Sequence, residues 1–240
     1  MQTLLSVVGM NKHFGGVVAV RDISFDVREG EVLGLMGPNG AGKSTLLNLI
    51  CGEYKPDSGT VSLKGHGITG LSTHRLCHIG VARTYQIPQP FVNLTALQNV
   101  AVAAQYGKGL GKDAAEDEAL RLLDMVDLSE KKDVLARDLT AITLKRLELA
   151  RALATEPMLL LLDEVAAGLN EEEIPRILEI LQAVREMGIA FILVEHVMRV
   201  MTRVVDRIVV MDKGAKIAEG PPAEVMEDRR VIEAYLGESE

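Results

Sequence analysis

The chain is 240 residues long and 48% hydrophobic, with 34 acidic against 26 basic residues for a formal charge of −8. That size allows one large domain, or one domain carrying an inserted subdomain. The acidic balance without a basic block, the absence of Trp and the 3% aromatic content argue against a nucleic-acid surface. No run approaches the ~18 apolar residues of a membrane span, and Met1-Gln2-Thr3-Leu4-Leu5-Ser6 lacks the basic start of a signal peptide, so a soluble, cytosolic chain is expected. Two cysteines, Cys51 and Cys77, form no disulfide framework.

The N-terminal stretch predicts an antiparallel β region at Leu4–Val8, Val17–Val20 and Ile23–Val27, followed by a short buried strand at Glu31–Met36. Next comes Gly37-Pro38-Asn39-Gly40-Ala41-Gly42-Lys43-Ser44-Thr45, a full G-x-x-x-x-G-K-[ST] P-loop. Thr45–Ile50 has helical apolar spacing, and Gly52 suits a C-terminal cap. The loop therefore joins a strand to a helix, the context this motif requires. Its glycines let backbone N–H groups close around phosphate oxygens, and the helix N-terminus adds partial positive charge. Lys43 is expected to reach the β- and γ-phosphates, and the Ser44 hydroxyl to ligate Mg²⁺. The predicted ligand is a nucleoside triphosphate.

Short strands follow at Val61–Leu63 and Val81–Tyr85. His66, His74, Cys77 and His78 cluster between them; His74 and His78 have i, i+4 spacing, but no carboxylate or Cys pair completes a metal site, and partly exposed helix residues are the expected reading. From Pro88 to about Thr155 the pattern turns helical. Leu97, Val100, Ala101 and Ala104 fit one helix face and Leu120, Leu122, Leu123 and Val126 another, with a flexible loop over 107–112. Strand–helix–strand order then resumes: a strand at Met158–Asp163, a helix capped by Asn170 and running to about Met187, and a strand at Ile189–Val194. A hairpin (Arg207–Met211, turn, Lys216–Ala218) and a short helix beyond Pro221-Pro222 close the chain. The predicted fold is α/β, a P-loop NTPase core with an antiparallel β subdomain and an inserted helical subdomain; residues 1–87 and 156–240 form the core and 88–155 the insertion. Strand Met158–Asp163 ends in two acids. Asp163 is placed to hold the Mg²⁺ shell, and Glu164 to orient or deprotonate the attacking water.

In this order (Phe14, the P-loop, Gln86, a slot near Leu139, Asp163-Glu164, Ala167-Gly168-Leu169-Asn170, His196) the chain resembles the nucleotide-binding subunits of ABC transporters over nearly its whole length. Within that family, Phe14-Gly15-Gly16-Val17-Val18-Ala19-Val20, Ala166 to Asn170 and Val231 to Gly237 resemble ATPase subunits of branched-chain amino-acid importers. The resemblance implies that the nucleotide is ATP. It implies that Phe14 stacks on adenine, the alternative being a hydrophobic plug under the first hairpin. It implies that Gln86 touches Mg²⁺ and water while its loop meets the membrane subunits, and that His196 contacts the γ-phosphate and holds Glu164. It further implies a second ABC ATPase subunit, two membrane permeases, an indirect periplasmic or extracellular solute-binding protein, and a peripheral position on the cytoplasmic face of the membrane. A soluble ABC-type ATPase acting on ribosomes or DNA, and a regulatory subunit with little turnover, are the alternatives.

The chain also departs from the family pattern. Lys145 to Leu153 fixes the register, and the Leu-Ser-Gly-Gly-Gln signature slot reads Leu139-Thr140-Ala141-Ile142-Thr143. In the family this loop lies against the γ-phosphate bound to the partner subunit. A β-branched Ile142 resists the close approach and positive φ that glycine permits. The expectation is a weakened signature and a heterodimer with a partner whose signature is intact, with a homodimer as the alternative. Val165 replaces the usual proline after Glu164, and Asn170 the aspartate common in that loop elsewhere.

Overall fold

A computed structural model describes residues 2–236. Its N-terminal sheet is built on a long hairpin, β1 (Thr3–Phe14) and β2 (Val17–Arg28), turning at Gly15. Both strands outrun the prediction. The separate segments 17–20 and 23–27 are one strand, interrupted by register shifts rather than a turn. Asp22 takes a positive φ of 46° there, and its N–H donates to Asn11 Oδ1 at 2.9 Å, so the break in alternation is a bulge. β4 (Ser58–Leu63) pairs with β1, and β5 (His66–Gly67) with β4, giving the order β2-β1-β4-β5.

The second sheet contains β3 (Val32–Met36), β6 (Val81–Arg83), β7 (Leu159–Asp163), β8 (Ala190–Val194), β9 (Arg207–Asp212) and β10 (Ala215–Gly220), in the order β10-β9-β3-β8-β7-β6. All its neighbouring pairs are parallel except β9–β10. β7 and β8 are buried at every position, which is why they read as unbroken apolar runs. Successive side chains still alternate. Leu159 and Leu161 pack toward the first sheet with Leu46 of the P-loop helix, while Leu160 and Leu162 enter the other core with the later helices. The β9–β10 hairpin turns through Lys213 (φ 46°) and Gly214 (φ 82°), the two positive φ values of a tight hairpin turn.

The helices are α1 (Lys43–Ile50), α2 (Thr73–His78), α3 (Ala96–Gly107), α4 (Lys112–Met125), α5 (Ala141–Leu153), α6 (Ile174–Glu186), α7 (Met198–Val204), α8 (Pro222–Glu227) and α9 (Arg229–Leu236). α1 starts two residues before the predicted Thr45, because Gly42 itself is the N-cap. α6 starts at Ile174, not beside Asn170. Asn170 Oδ1 instead accepts from the Glu172 and Glu173 N–H groups at 3.0 Å, a side-chain turn that precedes the helix. Pro175 then sits in the first helical turn, where no N–H is needed. α7 was not expected from the sequence, and the single expected C-terminal helix is two. Asp228 separates them, its Oδ1 taking the Arg230 N–H at 2.8 Å. Gly237 of the family-like terminal segment lies outside the described residues.

α3, α4 and α5 pack on one another and cover one end of the parallel sheet. The parallel arrangement brings the C-terminal ends of β3, β6, β7 and β8 to one edge. The P-loop, Gln86, Asp163-Glu164 and His196 all follow those ends, the position where open α/β sheets bind ligands.

Candidate functional site

The P-loop has the conformation that phosphate binding needs. Gly37, Gly40 and Gly42 have φ of 147°, 75° and 100°. A Cβ on Gly37 would fall 2.1 Å from the Met211 carbonyl oxygen, and one on Gly42 2.1 Å from that of Ala19. Only glycine fits either place. Gly42 caps α1 without any side-chain acceptor, so no capping side chain occupies the N–H groups of its first turn. Lys43 is buried, and its Nζ donates to the carbonyls of Gly37 (2.6 Å) and Pro38 (2.8 Å). Ser44 and Thr45 follow on the first turn. From outside the loop, the Gly37 N–H donates to Tyr235 Oη on α9 at 2.9 Å.

The structure brings three of the candidate residues together. Glu164 Oε1 lies 3.2 Å from His196 Nε2, and its Oε2 accepts from Gln86 Nε2 at 2.8 Å. Glu164 has a positive φ of 53°, rare outside glycine, and its N–H is held by the Val194 carbonyl at 2.9 Å. Strained backbone held from both sides is a recurrent feature of active sites. Asp163 precedes it, 4% exposed, with Oδ2 accepting from Arg83 Nη2 at 3.1 Å. Burial pushes the Asp163 carboxyl up, and the Arg83 guanidinium pulls against that rise.

Several buried and half-buried charges frame this group, and the sequence assigned none of them a place in it. Lys145 of α5 donates to the carbonyls of Glu164 (2.7 Å) and Ala167 (2.8 Å), fixing the loop after β7 from the helix that carries the signature slot. Glu195 is 1% exposed and accepts from the backbone of Ala166 and His196; its carboxyl is pushed up by burial, against the pull of those N–H donors. Glu148 of α5 accepts from the N–H groups of Tyr85 (3.1 Å) and Gln89 (3.4 Å), so one carboxylate brackets Gln86 on both sides. This contact also ends β6 at Arg83, two residues before the predicted Tyr85. Arg151 donates to the Gln89 carbonyl at 2.7 Å.

Phe14 sits at the tip of β1, 42% exposed, edge-on to Tyr54 with centroids 5.2 Å apart. The Lys12 ammonium lies over its ring, 5.4 Å from the centroid. Thr140 caps α5, taking the Thr143 N–H at 3.3 Å, and the two hydroxyls are 2.8 Å apart. Ile142 lies in the first turn of that helix and is not among the residues with positive φ, so the backbone here makes no demand for glycine. Ile142 and Val165, two departures from the family pattern, line one small pocket with Leu169 and Ile177.

The family profile "ABC transporter" matches residues 20–167, and "Branched-chain amino acid ATP-binding cassette transporter" matches residues 215–240. LivG of Salmonella typhimurium, a high-affinity branched-chain amino acid transport ATP-binding protein, is 37% identical, covering 99% of each chain. BraF of Pseudomonas aeruginosa, of the same description, is also 37% identical, covering 98% of each. Among solved structures, MJ1267 in its ADP conformation, an ATP-binding cassette of an ABC transporter, superposes with a TM-score of 0.88 at 31% identity, covering 99% of this chain and 100% of that one. A site built around a phosphate-shaped loop and a clamped carboxylate, a profile spanning more than half the chain and relatives aligned end to end lead to one conclusion: this chain belongs to the ABC transporter family, as one of its ATP-binding and ATP-hydrolysing subunits.

Proposed function

We propose that this subunit powers an importer of branched-chain or related amino acids, holding Mg-ATP between its P-loop and Asp163 and using Glu164 to activate water. The observation that carries the catalytic reading is Glu164 held between His196 and Gln86 at the strand edge that bears the P-loop. The P-loop fits a triphosphate, since Gly37 and Gly42 hold a backbone path that a Cβ would force against the Met211 and Ala19 carbonyls, and the Lys43 ammonium reaches into the loop as far as the carbonyls of Gly37 and Pro38. Ser44, Gln86 and Asp163 would hold Mg²⁺, which supplies charge neutralisation on the transferred phosphoryl group. Lys43 exchanges the carbonyls of Gly37 and Pro38 for phosphate oxygens. Glu164 receives the water proton on a carboxylate oxygen, while His196 and Gln86 hold its orientation. Phe14 offers its exposed ring to the adenine.

Among the described residues no helix is long and apolar enough to cross a membrane. The subunit would therefore meet the membrane through partners, on the cytoplasmic face. A cavity of roughly 640 Å³ opens between α2, β6, Gln89, Phe91 and α5. With the segment from Gln86 to about Gly107, it is the surface we assign to a permease. Residues 1–87 with 156–240 would form the core unit and 88–155 the inserted helical one. Two permeases, a second ATPase and an external solute-binding protein complete the assembly. With no positive φ required at Ile142, it is the side chain that holds the backbone off a partner's phosphate where glycine would not, and this makes a partner with an intact signature the favoured one. The test is reconstitution in liposomes with those subunits. Uptake of branched-chain amino acids dependent on ATP supports the reading, and loss of activity should be far greater from Glu164→Gln than from the equivalent change in the partner. Full activity from this chain with no second ATPase would refute the heterodimer, and absence of uptake would refute the importer.

A further inference from the structure

Arg83 closes β6, three residues before Gln86, and has no place in the chemistry above. Its side chain is only 8% exposed, yet it reaches three elements. Nη1 donates to Asn48 Oδ1 on α1 and lies 3.3 Å from Cys51 Sγ at the end of that helix. Nη2 donates to Asp163 Oδ2 at 3.1 Å. Glu53 is 3.7 Å away, and the guanidinium carbon sits 5.0 Å from the centroid of the Tyr85 ring. Nε is buried with no hydrogen-bond partner among the described residues.

This is a costly way to gain stability. Desolvation of a buried pair offsets most of its attraction, and apolar side chains of similar volume often do as well. The unpartnered Nε adds to that cost. What the guanidinium provides is geometry. Its rigid planar fork holds two acceptors at once: Asn48, on the helix that begins at Lys43, and the carboxylate of Asp163. One residue thus ties the phosphate-binding helix to the strand end on the metal side. With Oδ2 engaged by Arg83, Oδ1 is the oxygen left for a Mg²⁺ shell. Partners that orient a ligating carboxylate are worth about 10–100-fold in metal affinity or activity.

We infer that Arg83 is a positioning residue for Mg²⁺: by gripping Asn48 and Asp163 together, it sets the carboxylate of Asp163 in register with the P-loop. The inference rests on the proposed role of Asp163 in the Mg-ATP site. The test uses the full chain with a non-hydrolysable ATP analogue, and reads thermal stabilisation in EDTA and across a Mg²⁺ titration. In the assembled transporter, kcat and the KM for Mg²⁺ are measured alongside. Arg83→Gln should leave analogue binding in EDTA unchanged and raise the Mg²⁺ midpoint by about tenfold or more. Arg83→Lys keeps the charge but not the fork, so its midpoint should lie between the two; it decides the matter if the Gln variant does not fold. If the parent chain shows no Mg²⁺-dependent stabilisation, the Mg-ATP reading and this inference both fall. If the parent responds and the variants share its midpoint, only the positioning role falls. An equal loss of analogue affinity with and without Mg²⁺ would mean a purely structural role, and a lower Mg²⁺ requirement would mean that Arg83 acts by repulsion; either overturns the inference.

Discussion

Glu164→Gln tests the proposed chemistry most directly. The carboxylate accepts from Gln86 Nε2 at 2.8 Å and faces His196 Nε2 at 3.2 Å. Glutamine has the same length, and the surrounding groups can adapt to it. The Gln86 amide can flip, or the imidazole can change tautomer, so that the new NH₂ meets an acceptor. The positive φ of 53° is retained, and it strains Gln as it does Glu. Structure and nucleotide binding should therefore survive, because neither depends on this carboxylate. What is lost is a proton acceptor. A positioned general base contributes about 10²–10⁴-fold, or roughly 2.7–5.5 kcal/mol of barrier. The assay pairs nucleotide affinity of the isolated chain with steady-state phosphate release by the assembled transporter. Affinity within about twofold of the parent, with kcat lower by at least about 100-fold, is expected. The reasoning fails if turnover is unchanged, or if affinity and turnover fall together.

Lys43→Ala should weaken ATP binding by more than about tenfold, since charge-assisted hydrogen bonds to phosphate are among the strong ones; near-normal affinity for a fluorescent ATP analogue would contradict the P-loop assignment. Gly42→Ala forces a Cβ to 2.1 Å from the Ala19 carbonyl at a φ of 100°, and should cost at least about 2 kcal/mol in urea unfolding as well as nucleotide binding; parent-like stability would show that the loop can relax. Burial pushes the Glu148 carboxyl up, against the two backbone N–H groups it accepts. A carboxyl with a raised folded pKa supports the fold fully below the unfolded value of about 4.3, and that contribution is lost as pH rises through the folded value. Glu148→Gln cannot ionise, so the stability difference between parent and variant should shift in the variant's favour as pH climbs from about 4.3; a difference independent of pH across that window would refute the shift.

The sequence alone determined the parts of this protein whose physics is local. The P-loop could be read because three glycines, a lysine and a serine must sit at fixed spacing for backbone N–H groups to surround phosphates. β7 and β8 were legible because strands buried on both faces carry unbroken apolar runs, and the β9–β10 hairpin because its turn needs residues that accept positive φ. Asp163 and Glu164 were marked by the strand they end. The tertiary structure decided what depends on partners far apart in the chain. Whether 17–28 was one strand or two rested on a bulge fixed by Asn11 across the hairpin. Arg83, Glu148, Lys145 and Glu195 carry no local signature. Their partners Asp163, Tyr85, Glu164 and Ala166 lie 80, 63, 19 and 29 positions away, and a charged residue reads as surface until the fold buries it. The signature slot shows the same division. Ile142 breaks the expected pattern in sequence, and only the folded chain reveals a helical backbone there that accepts a β-branched residue and places Ile142 beside Val165 in the lining of one small pocket, because what lies opposite a side chain is set by the fold, not by its neighbours in the chain.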